Sequence, residues 1–234
     1  LWQHLYDVLE VYHLERVTRL APEARIVHIP AHRSHLDYLL FSSLLYEKGL
    51  TVPLVAAGIN LNLPLVGALL RRCGAFFMRR SFKGEALYSA VFSEYLHLLQ
   101  QRGTVLEYFI EGGRSRTGYT LTPKTGLLGM SLASFLRDST RPLYFVPIYI
   151  GYEKLFEGET YLRELSGKAK EKESLWGLLQ TLRRVRRIYG RVQVSFGEPL
   201  DLAAFLERQR PGWQDAAPET LAASARELAQ PLAK

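Results

Sequence analysis

Two histidines and an aspartate stand in PAHRSHLDYLLF, residues 30–41, just ahead of an apolar run. His32 and Asp37 are five residues apart. On a continuous helix that spacing turns them to different sides. Across a strand-to-helix turn they can meet. The segment ARIVHIP reads as a strand closed by Pro30, and a helix is expected from Ser34 to Lys48, stopped by Gly49. His32 then lies in the turn and Asp37 in the first helical turn. An imidazole oriented by a carboxylate is a general base, because the carboxylate fixes the tautomer and stabilises the imidazolium. The same residues fit a structural account equally well. Ser34-x-x-Asp37 has capping-box spacing, and an acidic side chain favours a helix N-terminus. His35 is a rival base that points elsewhere on the helix.

Three further stretches carry polar groups where the chain leaves an apolar segment. In FIEGGRSRTG two glycines permit a tight turn and close approach of backbone to a ligand. Arg114 and Arg116 follow, suited to phosphate or carboxylate through bidentate hydrogen bonds. A solvated turn is the bland alternative. In GAFFMRRSFKG, Arg79, Arg80 and Lys83 follow an aromatic segment. That suits an amphiphile with a charged head, and it equally suits a basic turn at a strand exit. In FVPIYIGYEK, Pro147 within an apolar strand implies an edge position or a bulge. Cys73 is the single cysteine, which rules out an intrachain disulfide and fits a reducing compartment. It is expected to be a packed thiol rather than a nucleophile. No metal-ligand spacing is apparent.

The elements that must position these groups alternate. Residues 1–24 read as an N-terminal helical segment, with apolar residues at Leu5, Val8, Leu9, Tyr12 and Val17. Residues 25–234 form the second unit. After the first strand and helix come a strand TVPLVAAGI, a turn NLNLP, a short helix LVGALLRR and an extended GAFFMRR. A helix Glu85 to Gln101, a strand TVLEYFI and a helix LLGMSLASFLRD follow. Next are a buried strand PLYFVPIYIGY, a helix SLWGLLQTLRRVRRIYG whose basic end reads as a solvated face, and a strand RVQVSFGEPL. A helix from DLAAFLERQ has Asp201 as N-cap. The Pro/Ala-rich end reads as a surface helix or a fraying tail. Alternating strands and helices predict an α/β fold, with a central mixed, largely parallel sheet and helices on both faces.

The chain has 234 residues, 47% hydrophobic and 23% charged, enough for a substantial core and too apolar for disorder. A formal charge of +7 calls for anionic partners: phosphorylated metabolites, anionic lipid, acidic proteins or nucleic acid. No nucleic-acid motif is recognisable. The charge-free stretch Gly49 to Leu70 is broken by Pro53, Gly58, Asn60, Asn62, Pro64 and Gly67, so it does not read as a spanning helix. The chain opens on Leu without a visible signal peptide and is expected to be part of a longer protein.

Taken in order, four blocks resemble the glycerol-phosphate acyltransferase superfamily: His32 to Asp37 (His-x4-Asp), Gly74 to Arg80, Phe109 to Ser115 and Val146 to Ile148. The spans AAGINLN, FKGEALYSAVFSEYL and LTPKTGLL resemble its bacterial membrane-bound glycerol-3-phosphate 1-O-acyltransferase branch. The resemblance covers about residues 25–200. It implies transfer of an acyl chain from acyl-CoA or acyl carrier protein to the sn-1 hydroxyl of glycerol 3-phosphate. His32 would be the base and Asp37 its orienting partner. Arg80, Arg114 and Arg116 would hold the phosphate, with Arg79 and Lys83 as weaker candidates. Glu111, Gly112 and Ser115 belong to the substrate-binding block, Glu111 either binding a glycerol hydroxyl or locking an arginine. Pro147 would shape the pocket. Backbone N–H groups near the first block are the expected oxyanion donors. The resemblance implies no cofactor beyond the acyl donor, no metal and no nucleic acid. An anionic membrane surface is the expected partner, at the cytoplasmic face of the inner membrane. Rival readings are a dihydroxyacetone-phosphate or lysophosphatidate acyltransferase and, in a different class, a non-catalytic basic module binding membrane or nucleic acid. The sn-2 enzymes usually have Pro-Glu-Gly-Thr-Arg where this chain has IEGGRSR, which favours the glycerol-3-phosphate branch.

Overall fold

The apolar runs ARIVHIP and PLYFVPIYIGY are long enough, and apolar enough on both faces, to be central strands of a covered sheet. The computed structural model describes residues 6–20, 24–34, 36–79, 81–82, 84–115, 117–155, 190–215 and 224–233. Its strands are β1 (Val8–Tyr12), β2 (Arg25–Pro30), β3 (Leu54–Gly58), β4 (Ala75–Met78), β5 (Leu106–Glu107), β6 (Leu143–Tyr152), β7 (Arg191–Phe196) and β8 (Leu200–Asp201). They form one sheet ordered β1-β7-β6-β2-β5-β3-β4, with β8 also pairing β6. β7 and β8 run antiparallel to β6, and the other pairings are parallel.

The helices are α1 (Glu15–Thr18), α2 (Asp37–Glu47), α3 (Val66–Arg72), α4 (Ala86–Gln101), α5 (Gly126–Arg137), α6 (Leu202–Gln209) and α7 (Ser224–Leu232). Strand alternation sorts β2 between two cores. Val27 and Ile29 pack with residues of α4, α5, α6 and α7. Ile26 packs on the opposite face with Leu40, Phe41 and Leu44 of α2. Asp201 caps α6 as expected, its Oδ1 accepting from Ala203 N at 2.9 Å and Ala204 N at 3.2 Å. No helix among the described residues is long and apolar enough to cross a membrane.

Three local expectations are corrected, and one is narrowed. The N-terminal helix gives way to a strand over Val8–Tyr12, in parallel register with Arg191–Ser195. Val8 and Tyr12, which suggested a helical stripe, are exposed, whereas Leu9 and Val11 pack on the core. That is a period of two, and pairing with β7 decides it. The strand expected from TVLEYFI contributes only Leu106–Glu107 to the ladder, because the chain turns off soon afterwards, with Gly112 N bonded to Phe109 O. α2 starts at Asp37 rather than Ser34. Pro147 is not on an edge, since β6 is central between β2 and β7, but it does face a bulge: the register slips by one residue there, with residues 146–147 of β6 opposite residues 197–199 of the antiparallel partner. It falls in the gap where β6 changes partner, from β8 at Tyr144–Phe145 to β7 at Ile148–Tyr152, so one missing N–H breaks no ladder there. The helix expected over SLWGLLQTLRRVRRIYG lies outside the described residues.

Candidate active site

Parallel strands β2, β3, β4, β5 and β6 all end on the same side of the sheet. Ligand crevices of open α/β sheets form outside such carboxyl ends. The loop after β2 carries His32, and the dyad is made there. His32 Nδ1 lies 3.0 Å from Asp37 Oδ2, with the imidazole side chain 16% exposed and the carboxylate 0% exposed. The same oxygen accepts from Arg33 N at 2.7 Å and Ser34 N at 2.9 Å. An oxygen that already takes two backbone N–H groups is an acceptor, so Nδ1 carries the proton and Nε2 keeps its lone pair. The other oxygen, Oδ1, accepts from Tyr152 O–H at the end of β6, 2.6 Å away. Phe109 stacks on the imidazole at 4.1 Å between ring centroids.

Half of the expected capping box is present: Asp37 reaches back to Ser34 N, but Ser34 Oγ accepts from Leu36 N at 3.1 Å, and the residue that precedes α2 is Leu36, without a side-chain cap. Among its described residues this wiring uses up the first block's backbone donors. The N–H groups of Ala31, His32, Arg33, Ser34, Leu36 and Asp37 all have partners within the protein. Those groups are not open to an oxyanion, contrary to the expectation for that block. His35 lies outside the described residues.

The loop after β5 braces the first. Glu111 is 4% exposed. Its Oε1 accepts from His32 N at 3.0 Å and from Arg33 Nη1 at 3.1 Å, and its Oε2 from Leu121 N at 2.8 Å. Both oxygens thus accept from protein donors, so Glu111 braces the two loops. The arginine it locks is Arg33, a residue the sequence reading did not single out. Ser115 N donates to His32 O at 2.9 Å, closing the second tie between the loops. The Ser115 side chain is buried, so the residue reaches the site through its backbone.

A cavity of about 680 Å³ opens beside His32. One part is apolar, lined by Leu39, Val55, Leu61, Leu70, Met78 and Phe82. Another is cationic, lined by Arg79, Arg114 and Lys124 with Gly112 and Gly113. Gly112 has φ +60, and a Cβ there would lie 2.9 Å from Lys124 Nζ, so its lack of a side chain lets the lysine fold over the loop. Arg79 reaches the cavity but also pairs with Glu85 at 2.7 Å and lies over the Tyr88 ring at 4.6 Å. Arg80, Lys83 and Arg116 lie outside the described residues. Pro147 does not line this cavity; it sits in register beside Ile29, ahead of the His32 loop. Cys73 is exposed and lines the cavity instead of being packed, because it caps α3 just before the chain turns at Gly74. Among the described residues no group of three or more His, Cys, Asp or Glu is arranged to hold a metal ion.

Below the dyad sit two titratable groups in register on neighbouring strands, His28 and Glu107. Burial pushes the His28 imidazole down to about 3, and it is neutral. Burial, and then the nearby Asp37 charge, raise Glu107 well above the usual carboxylate range, which favours its neutral form and so spares Asp37 a second negative charge.

Comparison with known proteins follows the same lines. A family model described as Acyltransferase matches residues 8–151, and one described as glycerol-3-phosphate acyltransferase C-terminal region matches residues 161–234. The glycerol-3-phosphate acyltransferase of Pseudomonas paraeruginosa is 58% identical over 214 residues, covering 92% of this chain and 26% of the relative. That of Pseudomonas putida is 55% identical over 216 residues, again covering 92% of this chain and 26% of the relative. The chain thus spans about a quarter of the length of the curated relatives it matches. The crystal structure of 1-acyl-sn-glycerophosphate (LPA) acyltransferase from Thermotoga maritima overlays with a TM-score of 0.49 and 19% identity, over 95% of this chain and 72% of that one.

Proposed function

The chain belongs to the acyltransferase family, and from that premise we propose that it carries the chemistry of a glycerol-3-phosphate 1-O-acyltransferase. It moves an acyl chain from acyl-CoA or acyl carrier protein to the sn-1 hydroxyl of glycerol 3-phosphate, with 1-acyl-glycerol 3-phosphate as product. The names of the relatives support the acceptor. One observation carries the chemistry: the Asp37-oriented imidazole at 3.0 Å borders a cavity with an apolar part and a cationic part.

His32 Nε2 takes the proton of the sn-1 hydroxyl as that oxygen bonds to the thioester carbonyl carbon. The tetrahedral intermediate collapses, the carbon–sulfur bond breaks, and the imidazolium returns the proton to the leaving thiolate. Ester and free thiol result, with no acyl-enzyme and no net proton change. The buried Asp37 carboxylate stabilises the imidazolium formed in between. Arg114 and Lys124 meet the acceptor phosphate, with Arg79 at the rim, and the apolar part takes the acyl chain. No further cofactor is needed for this proton traffic.

The same reading takes the chain to an anionic membrane, at the cytoplasmic face of the cell membrane. Ile59, Leu63, Leu65 and Leu69 are exposed near the cavity, Leu65 by 82%. Leu65 is held outward at φ 64 in a three-residue turn closed by Val66 N to Pro64 O. Arg71 and Arg72 end the same helix and are exposed beside these leucines. Apolar side chains bordered by cations suit an anionic lipid surface.

Thiol release tests the reaction. The full-length protein is given an acyl-CoA with glycerol 3-phosphate or with dihydroxyacetone phosphate. Free CoA appears with the first acceptor, and His32→Ala lowers the rate by at least about 10²-fold with the circular dichroism spectrum intact. A folded His32→Ala protein of normal activity would sink the mechanism. Preference for dihydroxyacetone phosphate would move the chain to that branch. Binding to anionic vesicles without any thiol release would favour a non-catalytic module.

A further inference from the structure

Asp37 has two oxygens with different duties. Oδ2 serves His32 and two backbone N–H groups, and Oδ1 faces β6. A buried carboxylate can rotate about its terminal torsion, and the choice of which oxygen meets the imidazole then depends on what holds the other one. Tyr152 O–H reaches Oδ1 at 2.6 Å from a strand 115 residues away, the length expected for a hydroxyl donating to a charged oxygen. The phenol is itself held. Its ring packs against Tyr6 at 5.7 Å, and Tyr6, beside β1, is 3% exposed. β1 pairs with β7 and β7 with β6, so the edge of the sheet supports the ring that supports the carboxylate.

We propose that Tyr152 is a positioning residue of the acyl-transfer centre, acting on His32 through Asp37. The inference rests on the acyl-transfer reading for its kinetic consequences, though not for the geometry. The O–H fixes the carboxylate so that Oδ2 faces Nδ1, and it draws charge from the carboxylate. The other titratable or charged groups around Asp37 are His32 and Arg33 on its own loop and, from the strands beneath, Glu107 and His28. Burial favours the neutral form of the last two, and among the described residues Tyr152 is a strand-side hydroxyl that donates directly to Asp37. Losing the donor leaves the carboxylate more basic, and the imidazolium then holds its proton more strongly.

The test is Tyr152→Phe in the full-length protein, which keeps the ring on Tyr6. With glycerol 3-phosphate and an acyl-CoA, kcat falls about ten-fold. KM for both substrates is unchanged. The acid limb of the kcat–pH profile moves up by roughly half to one pH unit. 3-Fluorotyrosine at position 152, a stronger donor, moves that limb the other way. Histidine-selective nitrogen NMR follows His32 directly, and its titration shifts in the same direction as the limb. Wild-type kinetics and titration in the variant would overturn the proposal. So would a lower kcat with limb and titration both unmoved, since packing alone would then explain it. If the wild-type protein releases no thiol, the acyl-transfer reading fails, and the His32 titration in the two proteins still decides the role of Tyr152.

Discussion

Replacing Glu111 by Ala separates bracing from substrate contact. The change leaves three donors behind: Arg33 Nη1, His32 N and Leu121 N, at 3.1, 3.0 and 2.8 Å from the missing oxygens. Arg33 and Glu111 side chains are 10% and 2% exposed, so a guanidinium that loses its carboxylate has little access to water. Breaking one side of a buried pair costs about 3–5 kcal/mol. For a chain of this size each kcal/mol is worth roughly 2–4 °C, so Tm falls by about 6–20 °C. Arg33→Met with Glu111→Leu removes both charges. Its residual cost is about 1–3 kcal/mol, chiefly the unmet N–H of His32. The double variant is thus more stable than Glu111→Ala alone. Because Glu111 holds the backbone of His32, the proposed base, a displacement near 1 Å is expected to lower kcat by about 10²-fold. KM for glycerol 3-phosphate changes little. Calorimetry and thiol release on the wild type and the two variants supply both numbers. If KM rises steeply while Tm stays put, Glu111 touches substrate and the bracing argument is refuted.

Two further outcomes follow from the same interior. Glu107 keeps a proton in the folded state that the unfolded chain loses above its ordinary value of 4.5, so its contribution to stability is complete below that value and is lost as pH rises. Glu107→Gln should flatten a slope of up to about 1.4 kcal/mol per pH unit in urea midpoints taken on the neutral-to-alkaline side, and equal slopes would show that Glu107 is charged. His28 acts on the acid side. Its contribution is present above 6.5 and lost as pH falls toward about 3, so His28→Leu should blunt acid unfolding, measured by the same midpoints. At the cavity, Lys124→Ala and Gly112→Ala should each raise KM for glycerol 3-phosphate several-fold, the first by removing a cation and the second by displacing it. An unchanged KM in both would remove Lys124 from the phosphate site.

Much of the scaffold was legible because its signals are local. The helix Ala86–Gln101, the cap at Asp201 and the buried run Leu143–Tyr152 each follow from patterns within a dozen or so residues. β1 was misread because Val8 and Tyr12 mimic a helical stripe, and only the partner strand β7 shows which residues face inward. For Pro147 the strand alone leaves edge and bulge open; the sheet excludes the edge and the register slip beside β7 supplies the bulge. Lys124 lay in the span LTPKTGLL already noted for its resemblance, but nothing local marks it as facing Gly112. The burial of the Ser115 side chain and the exposure of Cys73 likewise depend on neighbours distant in sequence.

A strand end, five residues and a helix start allow His32 and Asp37 to meet across a turn, and that is legible in the segment alongside its capping alternative. The order of the four blocks, likewise legible, points to acyl transfer. What holds the pair is visible only in the fold. Arg33 meets Glu111 across 78 residues, and Asp37 meets Tyr152 across 115. Such contacts leave no periodicity in either segment. They arise because parallel strands from remote parts of the chain end on the same side of the sheet, where a buried carboxylate must collect its donors from whatever lies within hydrogen-bond reach.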